Sequence, residues 1–241
     1  MRILKEIHTY ERHEKNTSDS WQIFHFEGDT YPGWVFDEQR IASKLAESDF
    51  SIGEEDHLYV ILNPNIAENS IEFSKLHFDK RTLYADFGVN PQHFNALSQK
   101  KKDFFVRNII FSVLKTKSTP EMRFFLEETQ QKIEKHGKNI EILYKAKETS
   151  QYSIRIFFQI NPEGRPLSLK EKNGGVAIIK YLNKQSGEEK AFRYPLFFYD
   201  DIYYLMNAIS LKNNEIIIKP KTSLRAEVYN QKYAVPIIFR L

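Results

Sequence analysis

The sequence contains no cysteine, and this absence removes several kinds of site at once. Without thiols the chain forms no disulfide, holds no thiolate-bound metal and has no cysteine nucleophile. No apolar run approaches the roughly 20 residues of a membrane-spanning helix. The N-terminal stretch MRILKEIHTYERHEK is too charged for a signal peptide. We therefore expect a soluble, cytoplasmic protein.

The familiar catalytic and nucleotide-binding motifs are also missing. The sequence contains no GxxxxGK[ST], GxGxxG, GxSxG or HExxH. It also has no Glu-x-Lys with the strand placement and preceding aspartate of a restriction-type nuclease. Gly174-Gly175 precedes a predicted strand and is interpreted as a turn. From these absences we expect no enzymatic activity, no cofactor and no bound metal.

Aromatic residues are plentiful, with 19 Phe and 13 Tyr among 241 residues. This content is ample for a buried core and excludes wholesale disorder. The length fits a single α+β domain over residues 1–241, and a subdivision into 1–138 and 139–241 is the alternative.

The predicted elements follow the order strands, two helices, strands, helix, strands. Apolar periodicity predicts the strands, while Asn90-Pro91 and Thr119-Pro120 are typical helix starts and Gly137 is placed to end the second helix. We predict an α+β fold with mostly antiparallel sheets, a central pair of helices and one short C-terminal helix. The predicted strands are 2–9, 21–27, 58–62, 70–78, 81–89, 140–147, 152–160, 176–182, 190–198, 215–219 and 233–240, and the predicted helices are 38–47, 90–115, 120–136 and 200–209.

Charge is divided along the chain. Residues 1–75 carry 7 Lys+Arg against 15 Asp+Glu, a net of −8, and residues 76–241 carry 28 against 17, a net of +11. Acid is densest in residues 27–56, where nine carboxylates lie among aromatic side chains. Aromatic anchors set among carboxylates are typical of a surface for a basic protein partner. The candidate partner site consists of Tyr31, Trp34, Asp37, Glu38, Asp49, Glu54, Glu55 and Asp56. The alternative is that Trp34 belongs to the core and the segment is a solvated loop.

A basic helix and a basic C-terminal part suggest the alternative function, which is binding or processing of nucleic acid. Lysines on one helix face beside tyrosines can hold a phosphate backbone, and such binding falls steeply with salt. A solvated helix surface explains the same lysines. The candidate residues are Lys100, Lys101, Lys102, Arg107, Lys115 and Lys117.

Two acidic groups are candidates for a metal or catalytic site. His77 and Asp79 face Asp86 across a predicted hairpin, where they act either as metal ligands or as a polar face with a turn aspartate. Asp200-Asp201 follows a predicted strand and precedes a helix, which fits Mg²⁺ binding or, in the favoured interpretation, a helix N-cap.

Residues 78–115 read FDKRTLYADFGVNPQHFNALSQKKKDFFVRNIIFSVLK. An alternating strand, a short break, a polar helix start and a Lys-rich turn lead into an apolar helix. This pattern resembles that of bacterial polymorphic-toxin immunity proteins. The resemblance implies a small soluble α+β protein without catalytic motifs, which neutralises a cognate toxin by occluding it. We expect a basic, nuclease-like toxin as the partner.

Overall fold

The computed structural model describes residues 1–12, 24, 33–74, 79–161 and 173–241. The described residues up to Gly137 form one compact unit, unit 1, and those from Lys138 onward form a second, unit 2. Helices packed beside three mostly antiparallel sheets place the fold in the α+β class, which confirms the predicted class.

Unit 1 contains a four-stranded sheet with the spatial order β1-β2-β4-β3. Its strands are β1 Glu6–Glu11, β2 His57–Asn63, β3 Ile71–Ser74 and β4 Thr82–Gly88. β3 and β4 form the predicted hairpin, whereas β1, β2 and β4 run parallel, which was not predicted. Parallel neighbours need a long crossover, and the helix α1, Trp34–Ala46, lies between β1 and β2 in the chain.

The helix predicted over residues 90–115 is two helices. They are α2, Pro91–Asn95, and α3, Gln99–Lys117. Asn90 caps α2 as predicted, because its side chain accepts the N–H groups of Gln92 and His93 at 2.9 and 3.2 Å. Ser98, with extended backbone, then starts α3, since serine favours N-cap positions over helix interiors.

The fourth helix, α4, covers Pro120–His136 as predicted. It ends at Gly137, whose φ of 51° combined with ψ of −127° lies outside the left-handed region that asparagine tolerates and therefore favours glycine. Its Leu126, Thr129 and Ile133 are buried, and the helix packs against α1 and α3.

Side chains of the unit 1 sheet alternate between a buried and an open face. Ile7, Leu58 and Leu83 are neighbours in register and are almost fully buried. The next residue along each strand points to the opposite face, because strand side chains alternate. There His8, Tyr59 and Tyr84 are only partly buried. This open face positions the candidate site.

Unit 2 contains two antiparallel sheets. The first is a meander of β5 Ile142–Glu148, β6 Tyr152–Ile160, β7 Gly175–Asn183 and β8 Glu189–Leu196. The second consists of β9 Ala208–Lys212, β10 Glu215–Lys219 and β11 Ile237–Arg240. Two short helices, α5 Ile202–Leu205 and α6 Leu224–Asn230, complete the unit.

The helix predicted over residues 200–209 is wrong in extent, because α5 has four residues and β9 begins at Ala208. β9 and β10 form a hairpin whose turn residues Asn213 and Asn214 both have positive φ, 51° and 62°. Asparagine tolerates this conformation, so Asn-Asn was the overlooked signal of a tight turn. The helix α6 was not predicted.

None of the helices in the described part of the chain is long and apolar enough to cross a membrane.

Candidate functional site

The structure corrects the expected exposure of the acidic aromatic segment. Trp34, Asp37 and Glu38 lie in α1, which packs against β1, α3 and α4, and Glu55 and Asp56 directly precede β2. Trp34 is 4% exposed, so the alternative of a core tryptophan describes its position. The other buried members are Asp37, Glu38, Glu55 and Asp56. Asp49 and Glu54 are exposed, and Tyr31 lies outside the described residues.

The buried carboxylates have internal partners or altered pKa values. Asp37 accepts hydrogen bonds from Arg40 at 2.8 Å and from Arg107 at 3.5 Å. Asp56 binds Arg81 at 2.7 Å, and this guanidinium holds the pKa of Asp56 well below its usual range. Burial raises the pKa of Glu38 to about 8. Asp37 and Asp56 therefore bind arginines of unit 1 and stabilise contacts within it.

The predicted basic helix does not present one cationic face. Lys102 is buried, with its ammonium 5.6 Å from the centre of the Phe94 ring. Arg107 contacts Asp37 as described above, and Lys115 pairs with Glu127 at 3.4 Å. The Lys117 ammonium lies 4.1 Å from the centre of the Phe73 ring. Lys100 and Lys101 are exposed.

The two predicted acidic groups have structural contacts. Asp79 accepts the backbone N–H groups of Arg81 and Thr82 at 3.0 and 3.2 Å, as a turn aspartate does. Asp86 is held by Arg12 and Asn63 at 2.8 Å each, and His77 lies outside the described residues.

The carboxylate of Asp201 accepts the Phe198 N–H at 3.0 Å and the Tyr233 hydroxyl at 2.5 Å. Asp201 stands at the N-cap position of α5, as the favoured interpretation holds, but its side chain makes no capping hydrogen bond to that helix and instead binds back to the turn before it. The described ranges contain no group of three or more His, Asp or Glu placed to hold a metal ion.

An aromatic surface covers the open face of the unit 1 sheet. His8, Tyr59 and Tyr84 are direct neighbours across β1, β2 and β4. The Tyr59 ring lies 5.4 Å from both the His8 and the Tyr84 ring, edge-on in each case. Tyr10 joins them at 5.2 Å from Tyr59 and is 49% exposed. We call His8, Tyr10, Tyr59 and Tyr84 the tyrosine face.

Carboxylates border the tyrosine face. Asp79 accepts a hydrogen bond from the Tyr84 hydroxyl at 3.4 Å. Glu6 lies 3.2 Å from His8, and Glu72 stands opposite Asp86 on the neighbouring strand. Burial, followed by the charge of Asp79, raises the pKa of Tyr84. Its hydroxyl therefore stays protonated at neutral pH and remains a hydrogen-bond donor.

The basic side chains beside the tyrosine face are bound to carboxylates. Arg12 forms a two-point ion pair with Asp86, with Nε 2.8 Å from Oδ1 and Nη2 3.1 Å from Oδ2. Lys5 and Arg81 both contact Asp56, at 3.1 and 2.7 Å. Lys5, Arg12 and Arg81 are therefore already paired with carboxylates within the protein, whereas Glu6 and Glu72 are exposed.

A histidine beside the face has a partner but not the setting of a catalytic base. Nδ1 of His57 lies 2.7 Å from Asp56, an arrangement that would orient an imidazole. Its Nε2, however, lies 3.5 Å from the carboxylate of Glu6 and not beside a hydroxyl nucleophile. In the described part of the chain, both ring nitrogens of His57 therefore face carboxylates.

The sequence of β2 does not reveal the tyrosine face, because residues 58–62 read LYVIL and Tyr59 is surrounded by apolar residues that suit a strand buried on both sides. A local signal was present in the tripeptides His8-Thr9-Tyr10, His57-Leu58-Tyr59 and Thr82-Leu83-Tyr84. In each tripeptide the first and third residues are polar or aromatic and lie on one face of the sheet. The middle residue points to the opposite face. Only the parallel register shows that the three tyrosines meet.

Compared with known proteins, the chain matches no protein-family model, no curated protein and no solved structure.

Proposed function

We propose that this chain is a non-enzymatic binding protein whose tyrosine face docks onto a basic protein. The observation that carries the proposal is the row of contacting rings formed by His8, Tyr59 and Tyr84, with Tyr10 at its edge. Tyrosine combines a large contact area with a hydroxyl and little conformational freedom, which makes it a frequent anchor in protein interfaces.

The charges around the face favour a basic protein over nucleic acid. A phosphate backbone is bound by unpaired cationic side chains, which displace the counterions condensed on the nucleic acid. Arg12, Lys5 and Arg81 instead hold carboxylates of this chain. Glu6 and Glu72 are exposed at the border and would attract a positively charged partner from a distance.

An immunity protein is the specific version of this proposal. Such a protein acts by covering its toxin, so it needs an accessible surface and no catalytic groups of its own. The resemblance of residues 78–115 includes Tyr84 in β4, which belongs to the tyrosine face. We infer a basic, nuclease-like toxin as the cognate partner.

Site-specific photo-crosslinking in the native host cell tests whether the partner binds at the tyrosine face. A photoreactive phenylalanine derivative replaces Tyr10 in one variant and Phe157 in a control variant, because Phe157 lies on the open face of the unit 2 sheet. We expect a basic protein to be captured at position 10 and not at position 157. Equal capture at both positions, or capture of an acidic protein, would contradict the proposed face.

Co-expression tests the proposed immunity function separately. The captured protein, produced alone, is expected to arrest growth, and the wild-type chain is expected to relieve the arrest. A chain carrying Glu6→Lys and Glu72→Lys should relieve it poorly, whereas the matched charge change Glu127→Lys and Glu134→Lys in α4 should act like wild type. A captured basic protein without toxicity would retain the binding surface and refute the immunity function.

A further inference from the structure

A second cluster of aromatic and basic side chains lies in unit 2, around α5 and α6. The rings of Tyr204 and Tyr229 are stacked, with centres 4.7 Å apart and planes 10° from parallel. The guanidinium of Arg225 lies 5.7 Å from the centre of the Tyr204 ring and 5.9 Å from the centre of the Tyr229 ring. Arg225 is thus held in place although it is exposed.

Two lysines extend this cluster. The Lys221 ammonium lies 5.8 Å from the centre of the Tyr204 ring. The Lys232 ammonium lies 4.7 Å from the Phe198 ring and 5.6 Å from the Tyr229 ring. We call Tyr204, Lys221, Arg225, Tyr229 and Lys232 the basic aromatic cluster.

The carboxylates near the cluster lie beneath it or away from it. Asp201 is fully buried and lies 3.8 Å from Lys232. Asp200 is half-buried. Burial and the neighbouring Asp201 raise its pKa, and the nearby charges of Lys232 and Arg225 oppose this rise. Glu227 follows Arg225 by two positions, which is about 200° around a helix.

Among the described residues, neither Lys221 nor Arg225 has a carboxylate within 4.0 Å. This differs from the tyrosine face, where Arg12, Lys5 and Arg81 are neutralised by ion pairs. The sequence from residue 138 onward carries 17 Lys+Arg against 10 Asp+Glu, so the surroundings of the cluster are positive as well. The cluster therefore retains positive charge that a ligand can use.

We propose that the basic aromatic cluster binds single-stranded nucleic acid. Aromatic rings accept unpaired bases by stacking, and nearby cations contact the phosphates between them. The planar guanidinium of Arg225 suits a phosphate because it can donate two parallel hydrogen bonds. This site is separate from the tyrosine face, and the proposal does not depend on the proposed immunity function.

Fluorescence anisotropy with labelled oligonucleotides tests the proposal on the full chain. Oligo(dT) and oligo(U) of about 20 nucleotides should bind, and a duplex of the same length should bind more weakly because its bases are already stacked. Comparable binding of oligo(dT) and oligo(U) indicates recognition of bases and phosphates. Stronger binding of oligo(U) indicates contacts to the 2′-hydroxyl group.

The double variant Lys221→Gln/Arg225→Gln removes two exposed charges from the cluster. We expect about tenfold weaker binding of oligo(dT), and a slope of log affinity against log salt that is shallower by about 1.4, or 0.7 for each lost phosphate contact. The matched control, Arg123→Gln/Lys135→Gln, removes one exposed arginine and one exposed lysine from α4 and should bind like wild type.

Stacking is tested by changing the ligand, which avoids any risk to the fold. An oligonucleotide of the same length without bases should bind clearly more weakly than oligo(dT). Polyglutamate of matched charge should compete poorly. The proposal is wrong if wild type binds no single strand at low salt, if both double variants weaken binding equally, or if the baseless strand or polyglutamate binds as well as oligo(dT).

Discussion

Each unit has a sheet with an open face, and the two faces are built differently. In unit 1 the open face is a row of rings, with Tyr59 in contact with His8, Tyr10 and Tyr84. In unit 2 the open face of the β5–β8 sheet is covered with ion pairs. These join Arg155 and Lys184 to Glu148, at 2.9 and 3.3 Å, and Lys180 to Glu141, at 2.5 Å.

The two faces differ in the free energy that would be gained by covering them. On the unit 2 face, hydrogen bonds from Arg155 first, and then from Ser153 and Lys184, lower the pKa of Glu148 to about 2. The charged side chains of the unit 2 face interact with one another and with water. Covering them would therefore contribute little binding free energy. The tyrosines of unit 1 keep apolar ring surface in contact with water, and covering that surface is favourable.

The largest expected effect is on the pH dependence of stability, and it comes from the buried carboxyl group of Glu38. Because burial raises the pKa of Glu38 to about 8 from 4.5, the folded protein keeps a proton that the unfolded chain releases. This contribution to stability is complete below pH 4.5 and is lost as the pH rises through 8. The loss approaches about 3–5 kcal/mol, at about 1.4 kcal/mol for each unit between the two pKa values.

Urea unfolding of wild type and Glu38→Gln across this pH range measures the effect. The free energy of unfolding of wild type should fall between pH 4.5 and 8. That of Glu38→Gln should fall much less over the same range. The exposed-acid control Glu54→Gln should follow wild type. Identical pH profiles for wild type and Glu38→Gln would contradict a protonated Glu38.

The second prediction compares the two faces of one strand. Leu58 and Tyr59 are consecutive in β2, but Leu58 is 1% exposed and Tyr59 lies on the open face. Leu58→Ala should cost about 2–5 kcal/mol of unfolding free energy, because it leaves a cavity in the core. Tyr59→Ala should cost less. Equal costs in denaturant unfolding would show that Tyr59 serves the core and not a surface.

The smallest expected effect is on the unit 2 face. Arg155→Ala and Lys180→Ala each remove an exposed ion pair, which contributes little because water screens it. Each should shift the melting temperature by less than about 2 °C. A larger shift in a thermal melt would show that these ion pairs support unit 2, and the contrast between the two faces would weaken.

Much of the fold follows from local sequence signals, but its non-local features do not. Proline after a capping residue marks the starts of α2 and α4, and regular alternation marks β6 at its observed bounds. The parallel order β1-β2-β4 depends on contacts between distant segments, which no local pattern encodes. The single domain over residues 1–241 stays a prediction, as does its alternative, a division into 1–138 and 139–241.

The predicted partner site shows the same limit. Trp34 and Asp37 are in an acidic stretch, which suggested a surface, yet α1 places both in the interior. Burial of a charge depends on its partner, and the partners Arg40 and Arg107 are ordinary residues in the sequence. The tyrosine face is the converse case, because residues from three separate strands form it only after pairing.

The affinity of the cross-linked basic partner for two single variants tests the central claim most directly. Tyr59→Ala removes the middle ring of the tyrosine face, and Phe157→Ala removes an aromatic ring from the open face of unit 2. Once thermal melts show that both variants are folded, titration calorimetry should find at least about tenfold weaker binding for Tyr59→Ala and wild-type binding for Phe157→Ala. Wild-type affinity in Tyr59→Ala, or an equal loss in both variants, would contradict the tyrosine face as the binding surface.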